Sequence, residues 1–281
     1  MGGAAFSQPW RTMPYTNQEN LDFMDTYKPH NYEATHLRIL LHGPVGAGKS
    51  SFINSVDSVF KGRLTSQAPT DATSGTSFTM RYKTYKIRKD TGSIYSFVFN
   101  DLMGLEDRAN TGVHVEDLKL ALMGHVREGY QFDPKSRMQK GDQFYNPSPT
   151  LNDRVHVLVS VIPADRVSLL SQDVVKKMRD VRLAASEMGV PQMTILTKVD
   201  EACPQGKKDI NNVYKSKYLK EQIDKFSQML GLPLNCIFPV KNYETEISTN
   251  EGIDALILCA LRQMITYGED FLNNLLTADD I

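Results

Sequence analysis

Residues 43–50 read GPVGAGKS and match the pattern G-x-x-x-x-G-K-[ST] at every fixed position. An apolar run, Leu37 to Leu41, precedes this stretch, and a helix is predicted to follow over Ser50 to Phe60. The glycines permit backbone conformations in which successive N–H groups point inward and surround phosphate oxygens. The N-terminus of the helix adds free amides and the positive end of its dipole. The stretch therefore predicts the phosphate-binding loop of a nucleoside triphosphate site.

The individual positions of this loop have expected roles. Lys49 is expected to reach the β- and γ-phosphates, and Ser50 to bind Mg²⁺. Further contacts with the nucleotide are expected from Gly43, Val45, Gly46, Ala47, Gly48 and Ser51. The alternative is a Gly-rich turn that matches the pattern by chance, and the strand before it and the helix after it disfavour that alternative.

A second element follows the strand predicted over Ile94 to Asn100. Residues 101–104 read DLMG, the pattern D-x-x-G. An aspartate at the end of that strand is placed to hold Mg²⁺ through water, which is the role expected of Asp101. The amide of Gly104 is expected at the γ-phosphate, so that this loop would sense the state of the nucleotide. The four-residue pattern is common by chance, and its position directly after an apolar strand supports it.

A threonine that binds Mg²⁺ is expected between the first helix and the strand predicted over Ser77 to Ile87. Thr76 is favoured because it lies next to the strand, and Thr73 is the second choice. Thr65 and Thr70 are also available. A threonine that only forms a turn is an equally good interpretation of either favoured position.

The sequence TKVD at residues 197–200 matches the guanine pattern [NT]-K-x-D and follows a strand predicted over Gln192 to Leu196. The Asp200 carboxylate would accept hydrogen bonds from the N1–H and the 2-amino group of guanine, and adenine has neither donor. The stem of Lys198 would lie along the base, and Thr197 completes the motif. A solvated lysine–aspartate pair is the alternative. A further contact is expected from the loop with Lys241 and Asn242, after the strand predicted over Cys236 to Val240.

Strands and helices alternate along the rest of the chain. Helices are predicted over Leu21–Tyr27, Val115–Val126, Ser171–Met188, 215–230 and Gly252–Leu275, and another strand over Val155–Ile162. This alternation predicts an α/β fold of the three-layer, small-GTPase-like P-loop NTPase type, with a mostly parallel central sheet flanked by helices.

Two regions lie outside the alternating pattern. Residues 1–33 are predicted to form an N-terminal arm, loose up to about residue 20, with a short helix, and residues 34–281 to form the nucleotide-binding domain. That domain carries a long inserted loop at about 127–153, which is either a partner surface or lid, or a segment anchored to the core by its aromatic residues. The second interpretation is favoured.

Composition limits the remaining functions. The 281 residues have a formal net charge of -1, so no nucleic-acid partner is expected. Three scattered cysteines predict neither a structural zinc site nor a disulfide scaffold. The N-terminus does not read as a secretory signal, and no apolar run is long enough to span a membrane. A cytoplasmic protein is expected.

Several segments together resemble the interferon-induced protein 44 family, P-loop GTPase-like proteins. They are LRILLHGPVGAGKSSFINSV (37–56), RYKTYKI (81–87), GYQFDP (129–134), PSPTLNDRVH (147–156), ILTKVD (195–200) and ALRQM (260–264). The resemblance implies an interferon-responsive, antiviral or growth-restraining protein of innate immunity that binds GTP or GDP. It also implies a protein partner, allows a nucleotide-dependent dimer, and predicts that the extra N-terminal domain of longer relatives is absent here.

Hydrolysis is expected to be slow. Leu105 stands where many small GTPases have the glutamine that orients the attacking water. Val45 would crowd an arginine supplied by an activator, and the charged residues Glu106, Asp107 and Arg108 are a weaker substitute. The favoured hypothesis is therefore a slow GTPase switch. A nucleotide-binding scaffold with negligible hydrolysis is the alternative, and TKVD disfavours an ATPase.

Overall fold

The computed structural model describes residues 5–69, 81–102, 113–133 and 135–276, and within these ranges one six-stranded sheet forms the centre of the molecule. The strands are β1 (Leu37–His42), β2 (Lys83–Arg88), β3 (Ile94–Asp101), β4 (Val157–Pro163), β5 (Gln192–Thr197) and β6 (Ile237–Pro239). Their order is β2-β3-β1-β4-β5-β6. Only β2 runs antiparallel to its neighbour, and the other four pairings are parallel. The predicted mostly parallel sheet is confirmed.

Helices connect the strands and cover the sheet. They are α1 (Asn17–Thr26), α2 (Lys49–Lys61), α3 (Val115–Leu122), α4 (Gln172–Glu187), α5 (Val199–Ala202), α6 (Pro204–Lys208), α7 (Lys217–Leu230) and α8 (Glu251–Asn274). None of these helices combines the length and the apolar character needed to cross a lipid bilayer.

The sheet separates two hydrophobic cores because successive side chains of a strand point to opposite faces. Ile39 and Leu41 of β1 belong to one core, and Leu40 between them belongs to the other. Helices α1, α2 and α8 pack on the face of Ile39, and helices α3, α4 and α7 on the face of Leu40. The predicted three-layer α/β architecture is therefore confirmed.

Several predicted boundaries are wrong. The helix predicted over Leu21 to Tyr27 begins at Asn17. The strand predicted over Ser77 to Ile87 begins at Lys83 within the described residues, and residues 77–80 lie outside them. The helix predicted over Val115 to Val126 ends at Leu122, because Gly124 takes a φ of +83° and turns the chain away. Val126 instead forms an isolated β-bridge with Tyr145.

The inserted segment at 127–153 is anchored to the core. Phe132 is 1% exposed, and Tyr130, Phe144 and Tyr145 pack against the same cluster. Further along the segment, a short 3-10 helix over Leu151–Asp153 leads into β4. The anchoring predicted for these aromatic residues is thus confirmed.

The N-terminal arm is not loose over residues 5–16, contrary to the prediction. The backbone N–H groups of Phe6 and Trp10 donate to the carbonyl oxygens of Lys215 (2.8 Å) and Tyr214 (3.0 Å). The Arg11 guanidinium also donates a 2.6 Å hydrogen bond to the carbonyl oxygen of Ile237 at the start of β6. These bonds and the edge-to-face contact of Trp10 with Tyr214 hold the arm beside the edge strand.

The close contact of α8 with the sheet depends on Gly268. A Cβ atom there would lie 2.3 Å from Leu37 Cδ1 and 2.8 Å from Val157 Cγ2, and both of those residues are fully buried. We expect Gly268→Val to lower the free energy of unfolding by about 2 kcal/mol, because the core has no room for the added methyl groups. Urea unfolding measures the effect. The same valine at the exposed Asp270 of α8 should have little effect, and equal losses in both variants would contradict the packing argument.

Candidate functional site

The candidate site lies at the carboxyl edge of the sheet, directly after β1. This strand pairs with β3 on one side and with β4 on the other, so the loop that follows it, residues 43–48, emerges near the middle of the sheet. The ends of β3, β5 and β6 lie along the same edge because their pairings are parallel. In open α/β sheets this edge is where ligands bind.

Three glycines give the loop its shape. Gly43, Gly46 and Gly48 have φ angles of +148°, +70° and +91°, which side-chain-bearing residues rarely adopt. A Cβ atom at Gly43 would lie 2.1 Å from the carbonyl oxygen of Val161 in β4, whereas one at Gly46 would meet no atom within 4 Å. The loop is therefore pressed against the sheet at its start and open at its middle.

Lys49 extends its side chain back across the loop. The residue is only 7% exposed, and its Nζ donates to the carbonyl oxygens of Gly43 (3.2 Å) and Pro44 (3.0 Å). An ammonium group held over a glycine loop at the start of a helix gives this place a concentrated positive charge. The arrangement suits the binding of an anion such as a phosphate group.

The side chains of Ser50 and Asp101 meet beside the loop. Ser50 Oγ donates a 2.6 Å hydrogen bond to Asp101 Oδ2, and Asp101 is fully buried at the end of β3. A hydroxyl and a carboxylate are the hard oxygen donors that Mg²⁺ prefers, so these residues fit a magnesium ion. The other predicted residues of this end, Thr76 and Gly104, lie outside the described residues, as do Thr70, Thr73, Leu105 and 106–108.

The TKVD motif at residues 197–200 is hydrogen-bonded directly to the phosphate loop. Thr197 is fully buried, and its Oγ1 donates a 2.6 Å hydrogen bond to the carbonyl oxygen of Ala47. Lys198 has a φ of +57°, and among the described residues no other side-chain-bearing residue has a positive φ. Strained backbone of this kind concentrates at functional sites. Asp200 follows on the short helix α5.

The loop after β6 approaches the same place from the other side. Asn242 Nδ2 donates a 3.0 Å hydrogen bond to the carbonyl oxygen of Gly48, and a Cβ atom on Gly48 would lie 2.8 Å from that nitrogen. Within the described residues, Asn242 Oδ1 is buried without a hydrogen-bond partner. A buried acceptor of this kind is costly unless a donor is supplied, and a bound ligand is one source of it.

An ion-pair network closes this end of the site. Lys241 Nζ lies 3.1 Å from Asp200 Oδ2 and 2.6 Å from Glu246 Oε1. Although burial opposes it, hydrogen bonds from the Glu244 backbone N–H and from Lys241 lower the pKa of Glu246 to about 2. Glu246 was not predicted from the sequence, because its ion pair with Lys241 depends on how the loop folds back. The two glutamates at 244 and 246, shortly after Lys241, are the one signal that could have suggested it.

His42 lies beneath the loop and was also missed. It is 2% exposed, its Nε2 is 2.8 Å from Ser160 Oγ, and burial together with the charge of Lys49 lowers its pKa to about 3. The imidazole is therefore neutral at physiological pH. It therefore adds no second positive charge beside Lys49.

The buried histidines predict a loss of stability in mild acid. Burial lowers the pKa of His42 and of His156 to about 3, and burial together with the charge of Arg38 lowers that of His36 to about 4. Between pH 6.5 and pH 5 the unfolded chain binds protons at all three residues and the folded chain does not, so unfolding is favoured by roughly 1.4 kcal/mol per pH unit for each histidine. Urea unfolding at pH 7 and at pH 5 should show this loss. The His156→Gln variant should show about two thirds of the dependence, and identical stability at the two pH values would contradict the prediction.

The fold and the loop together define the class of the protein. A glycine loop with a buried lysine, placed between the central β1 and the first covering helix of a mostly parallel sheet, is the P-loop α/β arrangement. The chain is a P-loop, small-GTPase-like α/β protein.

Comparison with curated proteins gives the family. The chain is 35% identical over 257 residues to "Interferon-induced protein 44" of Homo sapiens, covering 91% of this chain and 57% of the relative. It is 33% identical over 250 residues to human "Interferon-induced protein 44-like", covering 89% of this chain and 55% of the relative. The relatives that the chain matches over about nine tenths of its length are thus interferon-induced protein 44 and 44-like proteins, and the resemblance indicated by the sequence motifs is confirmed. The chain spans less than two thirds of the length of these relatives.

Two further comparisons were made, with protein-family models and with solved structures. No protein-family model matches the chain. Among solved structures, a GTP-binding protein from Sulfolobus solfataricus, determined in complex with GDP, aligns with 14% identity and a TM-score of 0.39. That alignment covers 85% of this chain and 53% of the archaeal protein.

Proposed function

We propose that the chain binds a guanine nucleotide together with Mg²⁺ and acts as a slow GTPase switch. One observation carries the proposal: the fold gathers the Lys49 loop, the Ser50–Asp101 pair and the Asp200 carboxylate along one edge of the sheet. These are the groups needed for a phosphate chain, a magnesium ion and a guanine base.

At the phosphate end, the backbone N–H groups of Gly43 and of residues 45–51 would surround the phosphates, and Lys49 would exchange its loop carbonyl partners for phosphate oxygens. Ser50, Asp101 and Thr76 would hold the metal, directly or through water. When bound, Mg²⁺ neutralises charge on the phosphates. The Gly104 amide is proposed to contact the γ-phosphate, which would make that loop respond to the difference between GTP and GDP.

At the base end, Asp200 would accept two hydrogen bonds from guanine. Adenine would leave this partly buried carboxylate without them, which is the physical basis of selectivity. Lys198 would lie along the base, and the loop with Lys241 and Asn242 would close over it. The hydrogen bonds Thr197–Ala47 and Asn242–Gly48 support the proposal, since they link the base end to the phosphate end.

The proposed domain organisation and biological setting extend beyond the site. Residues 34–281 are proposed to form the nucleotide-binding domain, with residues 1–33 as an arm and short helix packed on it. The relatives are named as interferon-induced proteins. We therefore place the chain in the interferon response, with an antiviral role. Induction of its transcript by interferon in the cells that express it would test this setting.

Competition binding tests the nucleotide proposal. Purified protein, freed of carried-over nucleotide and supplied with Mg²⁺, is titrated with a fluorescent GDP and then with unlabelled competitors. GDP and GTP should displace the probe, and ADP and ATP should not. Displacement by adenine nucleotides at equal concentrations, or absence of probe binding to the folded protein, would contradict the proposal.

A scaffold with negligible hydrolysis is the second candidate. Val45 favours it, because a partly exposed branched side chain in the phosphate loop would obstruct an activating arginine. Incubation of the GTP-loaded protein, followed by chromatography of the bound nucleotide, separates the two. Gradual conversion to GDP that requires Mg²⁺ and Lys49 supports the switch, and GTP that stays intact supports the scaffold.

A further inference from the structure

The loop between β6 and α8 places a lysine against the carboxylate proposed to read the base. Lys241 Nζ is 3.1 Å from Asp200 Oδ2 and 2.6 Å from Glu246 Oε1, so one ammonium bridges two carboxylates. All three side chains are partly buried, with exposures of 18% for Lys241, 25% for Asp200 and 21% for Glu246. Ion pairs with this degree of burial are screened less by salt than pairs on an open surface.

The loop that carries Lys241 is fixed to the body of the protein. The Tyr243 backbone N–H donates a 2.9 Å hydrogen bond to Ser55 Oγ of α2. The Tyr243 hydroxyl donates to Asp254 Oδ1 (2.5 Å) and accepts from the Asn250 backbone N–H (2.7 Å). Lys241 therefore reaches Asp200 from a loop that is bound to α2 on one side and to the start of α8 on the other.

We infer that Lys241 is a positioning residue for base recognition: held by Glu246, its ammonium fixes the Asp200 carboxylate in one orientation for guanine. The inference rests on the proposed function. An aspartate on a short helix otherwise samples several side-chain orientations, and ordering it on binding costs entropy and lowers the affinity for the base. A carboxylate oriented before binding avoids that cost.

The charges of the network persist across physiological pH. Burial alone would lower the pKa of Lys241, but hydrogen bonds to Glu246 and Asp200 raise it. The pKa of Glu246 is lowered to about 2, with its carboxylate bonded to the Glu244 N–H and to Lys241. Lysine and glutamate are therefore both ionised wherever the protein functions. Glu246 gives the ammonium a second anchor, so that the lysine stays beside Asp200 rather than extending into solvent.

The test compares two bases that differ in one donor. Hypoxanthine keeps the N1–H of guanine and lacks its 2-amino group, so the ratio of the Kd for IDP to that for GDP reports how well Asp200 holds both bonds. Lys241→Met, which keeps a long unbranched chain without the charge, should weaken GDP binding by about fivefold to tenfold. IDP binding should weaken less, so the ratio should fall. Glu246→Gln should produce a smaller change in the same direction, and Lys241→Arg should restore part of the ratio.

Controls separate this inference from loop damage and from the proposed function. Lys176→Met removes an exposed charge from α4 and should leave both affinities unchanged. Equal losses for GDP and IDP in Lys241→Met would show a general defect of the loop, and tighter GDP binding would show that Lys241 competes with the base; either result overturns the inference. If the wild type discriminates GDP from ADP, and Lys241→Met has the same ratio of the Kd for IDP to the Kd for GDP as the wild type, only the inference fails. If the wild type binds no guanine nucleotide, the proposed function fails with it.

Discussion

The Lys49→Ala variant is expected to bind GDP and GTP about 100-fold more weakly than the wild type, because a charged hydrogen-bond donor to the phosphates is lost. Lys49 Nζ spans the phosphate loop, 3.2 Å from the Gly43 carbonyl oxygen and 3.0 Å from that of Pro44. Titration with fluorescent GDP in Mg²⁺ measures the loss.

The control for this variant removes a lysine elsewhere. Lys176→Ala takes the same charge from the exposed side of α4 and should bind as the wild type does. Circular dichroism should show that Lys49→Ala remains folded, since the lysine contributes two hydrogen bonds to carbonyl groups that water can reach once the side chain is gone. An unchanged affinity for GDP in folded Lys49→Ala would show that the phosphate loop does not bind the nucleotide.

Gly43→Ala is expected to lower the free energy of unfolding by about 3 kcal/mol or more and to abolish nucleotide binding. The new methyl group would lie 2.1 Å from the carbonyl oxygen of Val161, a backbone atom of β4 that cannot move without distorting the sheet. The φ of +148° adds conformational strain. Thermal unfolding and the fluorescent GDP titration measure the two effects.

A second glycine separates the effect of the clash with Val161 from the effect of the positive φ angle. Gly92, in the turn between β2 and β3, has a φ of +86° and open space where its Cβ would lie. Gly92→Ala should therefore cost only about 1–2 kcal/mol and leave binding intact. A Gly43→Ala protein as stable as Gly92→Ala would mean that the approach of the loop to β4 is less close than described.

The sequence predicted the parts of the site whose residues are adjacent in the chain. The phosphate loop could be predicted because three glycines, Lys49 and Ser50 lie within eight positions, and local backbone geometry determines what they do. The meeting of Ser50 with Asp101 follows from a parallel sheet, in which two strand ends share an edge. The periodicity of apolar residues and the alternation of strands with helices were sufficient to predict the fold class.

Contacts between distant residues were harder to predict. The arm was expected to be loose, yet the Arg11 guanidinium donates a hydrogen bond to the carbonyl oxygen of Ile237, a residue 226 positions away. Lys241 was expected to contribute only through its loop, and its ammonium pairs with the Asp200 carboxylate on α5. The end of α3 was predictable in principle, since Gly124 is a helix-ending signal that precedes Val126.

The most direct test of the account exchanges the group that reads the base. In Asp200→Asn the carboxamide would accept from N1–H and donate to the 2-oxygen of xanthine, where guanine has an amino group. Isothermal titration of the wild type and the variant with GDP and XDP in Mg²⁺ measures the exchange. The account predicts that the wild type prefers GDP and the variant prefers XDP. Equal affinity of the two proteins for GDP, with no gain for XDP, would show that Asp200 does not contact the base.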